Sequence, residues 1–352
     1  MTPMQNQIIP DATTRPDPLV SNDAVLAVAV EETPPDLLQA FAQFLMMDVA
    51  NGDATEDTVR AYYREVGLWL RWCAAREVDP LWVERVHIET YRQELKARGI
   101  GVSTRSHKLS IIRRFYDAAV KHGLLANNPA AGVKGGKDLT LPEDKIRALT
   151  EGALDALLCS IPADTLAGRR DRVIVGLMGL HGLRSVEIWR LDHEHLERQG
   201  DAALLHVRGK GHKTRVLPLR GDILRAWDDY QNAKAQAGYL VEGAVIVGHG
   251  NNGRGARISR RSLENVVNKY LEKAGFKRPG VSCHGLRHTF ATVALHNGAK
   301  VEYVRDEMGH RLMDTTMTYV RLLSRRQNSA AAFIGAGLRF DDPQNTPPDE
   351  IS

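Results

Sequence analysis

The chain has 352 residues, 43% of them hydrophobic and 26% charged, with three cysteines. This suits a soluble globular protein of about two domains and excludes collagen-like, disulfide-scaffold and wholly disordered chains. The net charge of +4 conceals an asymmetry: residues 1–57 hold ten acids against Arg15, residues 341–352 hold four acids and no base, and residues 58–340 therefore carry +17. A polyanion, nucleic acid first, is the partner such a footprint implies.

The apolar run at residues 24–30 falls far short of the roughly 20 residues a bilayer span needs, and Glu31-Glu32 follows it. No base precedes Arg15, so a secretory signal is not readable, and a cytoplasmic chain without a membrane partner is expected. Cys73, Cys159 and Cys283 are far apart and form no CxxC, which predicts three reduced thiols.

In chain order, residues 1–33 are rich in Pro, Asp, Thr and Asn and read as a flexible acidic lead-in. Residues 34–130 carry helical periodicity in four runs. Leu37, Leu38, Phe41, Phe44 and Leu45 mark the first, and Asn51-Gly52 ends it. Thr55 is the expected N-cap of the second, whose apolar stripe runs from Val59 to Cys73 and whose other face offers Arg60, Arg64 and Arg71. A third helix is expected around residues 84–97 and a fourth from Ser103 to near Gly123. Gly and Lys crowd residues 131–142, the predicted linker. Residues 143–335 mix helices, expected near 154–158, 171–180, 221–236, 259–274, 284–297, 300–308 and 313–320, with strands at 203–207 and 215–219 joined by a basic hairpin. A third strand is expected at 244–247. Residues 336–352 form an acidic tail. The fold class is mainly α with a small antiparallel β-sheet.

Three stretches carry chemistry: His181-Gly182-Leu183-Arg184-Ser185-Val186-Glu187, His284-Gly285-Leu286-Arg287-His288, and Gly309-His310 with Tyr319 nine residues later. Between the first two lies the Gly-Lys-Gly-x-Lys-x-Arg hairpin at 209–215. In this order and spacing they resemble the tyrosine recombinase (phage integrase) family, particularly its Xer-like members, over about residues 36–335. The resemblance implies a helical, SAM-like core-binding domain followed by a mixed α+β catalytic domain. It also implies a site-specific recombinase that cleaves and rejoins DNA through a 3′-phosphotyrosyl intermediate, and a tetramer assembled on two double-stranded DNA sites. Whether a second recombinase or an accessory protein is also a partner is left open by the sequence. Tyr319 is the implied nucleophile, His310 a hydrogen-bond donor to phosphate, and Lys210 the general acid, with Lys213 in reserve. Met308 stands where the pattern before Gly309-His310 usually has Leu, a volume-conserving exchange.

The chemistry of the residues agrees. Planar guanidinium forks match the oxygens of a charge-gathering phosphodiester, which suits Arg184 and Arg287. His284 and Arg287, three apart at a helix start, share a face and can meet one phosphate. Glu187, one turn beyond Arg184, would fix that side chain. A tyrosine with an ordinary pKa of about 10 needs a base and positive charge nearby, which His284 and the two arginines could supply. Lys213, Arg215, Arg60 and Arg64 are candidate phosphate contacts. No paired-Mg²⁺ acidic cluster and no phosphate loop is readable, so chemistry without metal, ATP or other cofactor is expected. His193-Glu194-His195 reads as a polar turn, and Cys283 beside His284 points away from it on a helix. The alternatives are an architectural or regulatory DNA-binding protein on the same fold, or a type IB topoisomerase-like or telomere-resolving enzyme. The apolar segment 330–334, anchored by Phe333, is expected to dock onto a neighbouring subunit.

Overall fold

The computed structural model describes residues 34–52, 54–209, 213–250 and 254–327. The lead-in, the tail, Lys210 and the segment 330–334 lie outside the described residues. The chain divides between Leu139 and Thr140 into two compact units.

The first unit holds α1 (Pro35–Met47), α2 (Glu56–Ala74), α3 (Arg85–Ala97) and α4 (Val102–Lys121). Thr55 caps α2, its hydroxyl accepting the Thr58 N–H. An aromatic core fastens the helices: Trp69 and Trp72 stack at 5.0 Å, Tyr91 meets both edge-on, and the Trp69 indole donates to the Tyr116 hydroxyl at 3.0 Å. Arg71 departs from expectation. It is 3% exposed, on the buried side of α2 rather than on its basic outer face.

The stretch read as linker begins later than residue 131. Ala130 and Val133 are buried in the core of this unit, and Arg113 donates to both of their carbonyls. Arg105 Nε donates to the Gly135 carbonyl at 2.9 Å. Gly and Lys density signalled a chain without periodicity, but two arginines of α4 satisfy its backbone acceptors and hold it in place.

The second unit holds α5 (Glu151–Cys159), α6 (Leu166–His181), α7 (Ser185–Trp189), α8 (Gly221–Gln236), α9 (Arg260–Lys273), α10 (Cys283–His296), α11 (Val301–Met308) and α12 (Met313–Gln327). Its sheet comprises β1 (Leu196–Gln199), β2 (Ala202–Arg208) and β3 (Thr214–Pro218), antiparallel in that order, with Leu205 opposite both Leu196 and Leu217. Ala203, Leu205 and Val207 alternate inward, as a half-buried strand requires. They join Val173, Ile174, Leu177, Ile223 and Trp227 in the main core. The third strand is β1, not 244–247, which forms only isolated bridges. Val245, Ile246 and Val247 are all buried, so that run threads through the core. By contrast β1 reads Leu-Glu-Arg-Gln, mostly exposed, and is defined by pairing with β2 rather than by an apolar pattern. A smaller core of Ile146, Phe290, Ala291, Val304, Met308, Tyr319 and Leu322 ties α10, α11 and α12 together.

Candidate active site

Two helix ends with the same construction deliver the site's side chains. The α6 helix ends on Gly182 in the left-handed region (φ +62°), and a Cβ there would stand 2.5 Å from the Phe290 ring. Only glycine meets both demands. The turn then buries Leu183 and places Arg184 at the N-cap of α7. The α11 helix likewise ends on Gly309 (φ +62°), where a Cβ would stand 3.0 Å from the Arg215 guanidinium, and His310 follows.

Glu187 is the hub. Its carboxylate, 1% exposed, accepts the Arg184 N–H and the Arg184 Nη1 at 2.8 Å each, and two bonds from Arg215 at 2.9 and 3.0 Å. Arg287 Nη1 lies 3.9 Å away. Burial opposes the charge on Glu187, but Arg215 and Arg184 outweigh it and hold the carboxyl below its usual range. The carbonyls that end α11 accept from the same arginines: Glu307 O from Arg215 Nε, and Met308 O from Arg287 and Arg184. Arg287 also donates to Gly182 O and is 2% exposed, and burial lowers its pKa to about 9. Three guanidiniums around one carboxylate leave positive charge in surplus, the electrostatic condition for binding an anion.

The nucleophile candidate adjoins this cluster. Tyr319 on α12 is 4% exposed, and its hydroxyl pairs with His288 Nδ1 at 2.7 Å. Burial pushes the hydroxyl up to about 12, against the pull of the Arg287 and Arg184 charges. The His310 ring lies parallel to the Tyr319 ring at 6.4 Å, and its Nδ1 pairs with the hydroxyl of buried Thr316 at 2.9 Å. Burial, then Arg287 and Arg184, lower His310 to about 3, so it is neutral. A cavity of about 330 Å³ opens beside the arginines, lined by Arg184, Ser185, Ser282, His284 and Arg287 among others.

Of the residues read from the sequence, Arg184, Glu187, His284, Arg287, His310 and Tyr319 are brought together. Arg215 is not an open phosphate contact, because its guanidinium is engaged by Glu187 and Glu307. Lys213 is exposed, and its carbonyl accepts the Gly209 N–H at the hairpin's base. Arg60 and Arg64 are exposed on α2 of the first unit, paired with Glu56 and Glu65. Sequence reasoning offered His284 as the base and did not anticipate the contact of His288 with Tyr319; the His284 and His288 rings lie 4.4 Å apart. The signal was present: His288 is one turn beyond His284 on the same helical face. Burial pushes the Cys283 thiol up to about 12, leaving it protonated. His195 Nδ1 accepts the Asp192 N–H and His193 meets Lys234. Among the described residues no group of three His, Cys, Asp or Glu is placed to share a metal ion, and no helix is long and apolar enough to cross a membrane.

The model of the Phage integrase family matches residues 147–326, and that of the Phage integrase, N-terminal SAM-like domain matches residues 38–123. Tyrosine recombinase XerC of Xylella fastidiosa (strain M23) is 29% identical over 287 residues, 81% of this chain and 92% of its own length. Tyrosine recombinase XerD of Xanthomonas axonopodis pv. citri (strain 306) is 30% identical over 283 residues, 79% of this chain and 90% of its own. Among solved structures, the post-cleavage complex of XerH site-specific recombinase bound to palindromic difH substrate aligns with a TM-score of 0.66 at 15% identity, over 88% of this chain and 93% of that one. A lambda integrase tetramer bound to a Holliday junction aligns with a TM-score of 0.60 at 13% identity, over 85% and 80%. These structures share the fold.

Proposed function

The chain belongs to the phage integrase family and is a tyrosine site-specific recombinase, and we propose that Arg184, Lys210, His284, Arg287, His310 and Tyr319 run its reaction on double-stranded DNA. The observation that carries this reading is the Tyr319 hydroxyl, buried beside a surplus of guanidinium charge. Arg184, Arg287 and His310 hold the non-bridging oxygens of the scissile phosphate. Each such donor is worth about 3 kcal/mol where charge develops in a partly dry site. The Tyr319 oxygen attacks phosphorus, forming a 3′-phosphotyrosyl bond as the bond to the 5′ oxygen breaks. That oxygen takes a proton, from Lys210 by the family pattern. One phosphodiester replaces another, so a second 5′ hydroxyl reverses the step without added energy and rejoins the strand to a new partner. Charge neutralisation comes from the guanidiniums, and the intermediate conserves the energy of the broken strand, so neither a metal ion nor ATP enters the reaction. Four copies assembled on two recombination sites in the cytoplasm complete the proposal.

The test is strand exchange. A duplex selected by the full-length protein from a randomised pool is placed twice in a supercoiled plasmid. Circles resolved or inverted between the two copies are the expected product. Relaxation alone would move the reading to a topoisomerase, and binding without strand breakage would move it to an architectural protein.

A further inference from the structure

We propose that His288 is the proton acceptor for the Tyr319 hydroxyl, a catalytic residue beyond the six of the family pattern. The proposal rests on Tyr319 being the nucleophile. The hydroxyl oxygen stands 2.7 Å from His288 Nδ1, within hydrogen-bond distance, the two rings lying 5.6 Å apart. In the neutral tautomer with its proton on Nε2, Nδ1 carries the lone pair that can take the hydroxyl proton. With the hydroxyl pushed up to about 12, the tyrosinate fraction at neutral pH is on the order of 10⁻⁵, so attack requires that the proton leave as the bond to phosphorus forms. Around the hydroxyl, arginines offer no lone pair. His310 Nδ1 is engaged by Thr316, and His284 packs on His288. Among the described residues, His288 is the histidine with a ring nitrogen within hydrogen-bond distance of the hydroxyl.

The electrostatics time the transfer. The groups that face His288 are His284 and Arg287 on its own helix, His310 from the turn before α12, and Tyr319 on α12. Burial, then His284 and Arg287, lower His288 to about 4, so it stands neutral and ready to accept. A phosphodiester on Arg184 and Arg287 adds negative charge that offsets Arg287, and the imidazolium is stabilised as the phosphorane forms. The step balances. The Oη–H bond breaks with its proton passing to Nδ1, the Oη–P bond forms, and the P–O5′ bond breaks with a separate proton going to O5′. In the reverse direction His288 returns its proton to the departing tyrosine.

The test measures single-turnover covalent adduct formation by the full chain. The substrate is a nicked suicide duplex carrying the pool-selected site, assayed from pH 6 to 9 for wild type, His288→Gln, His288→Ala and Tyr319→Phe. Glutamine keeps a hydrogen bond to the hydroxyl but cannot hold its proton. Both His288 variants should lose roughly 100-fold or more in rate with DNA affinity unchanged. Their remaining rate should climb in proportion to hydroxide where the wild type is level. Added imidazole should restore His288→Ala. If His288→Ala fails to fold, His288→Gln decides. A His288→Gln rate within threefold of wild type, with the wild-type pH profile, overturns the proposal. An adduct persisting in Tyr319→Phe overturns the nucleophile itself. Adduct lost there but unaffected by His288 overturns only the acceptor.

Discussion

Glu187 ties Arg184 and Arg215 to one buried carboxylate with Arg287 alongside. Glu187→Gln keeps the shape and removes the charge, leaving buried guanidiniums uncompensated. Removing one partner of a buried ion pair costs about 3–5 kcal/mol, and urea unfolding should show a loss of that size, together with slower single-turnover cleavage. A change below about 1 kcal/mol would mean that the arginines are held by the α11 carbonyls alone. Much of this scale was legible, since Arg184, Glu187, His284, Arg287 and Tyr319 were readable from three short motifs. Arg215 was read as a phosphate contact, and its place in the cluster was not legible, because its partners are Glu187 and Glu307, distant in sequence and joined only by the fold. On the sequence it is one more base beside a basic hairpin. His288 went unassigned although it closes the second motif, because its contact with Tyr319 joins α10 to α12 and is made only by the fold.

Helices longer than two turns announce themselves by periodicity, and α8 begins and ends where the pattern predicts. The α7 helix has five residues, too few for any period, and α12 continues to Gln327 where the pattern ended near 320. The β1 strand is polar and exists through its pairing with β2. What a single sequence can show of such elements is their punctuation, and Gly182 and Gly309 are that punctuation. Gly182→Ala forces a side chain into the left-handed region at a cost of about 1–2 kcal/mol and drives its Cβ into Phe290. Thermal denaturation should show a lowered midpoint, and Arg184, displaced with its turn, should contribute less to cleavage. A midpoint equal to wild type would show that the α6–α7 turn tolerates a side chain and that its glycine is not what places Arg184.

Across the whole molecule, histidines held neutral set the response to acid. His193, His249 and His288 are lowered to about 4 and His310 to about 3, by burial first in each case. Unfolded, each titrates near 6.5, so between 6.5 and about 4 the unfolded chain binds more protons than the folded one. Their stability is complete above 6.5 and is lost as pH falls through that window. Denaturation midpoints should decline steadily from pH 7 to pH 4.5, and a flat profile would contradict the burial of these rings. The central claim is that the +17 carried by residues 58–340 and the arginine cluster serve one event, attack by Tyr319 on DNA phosphate. The most direct measurement is mass-spectrometric mapping of the covalent adduct formed by the full-length protein on the nicked suicide duplex. A single modified peptide is expected, with the 3′ phosphate of the cleaved strand on the oxygen of Tyr319. A phosphate on any other side chain, or a 5′ linkage, would contradict it.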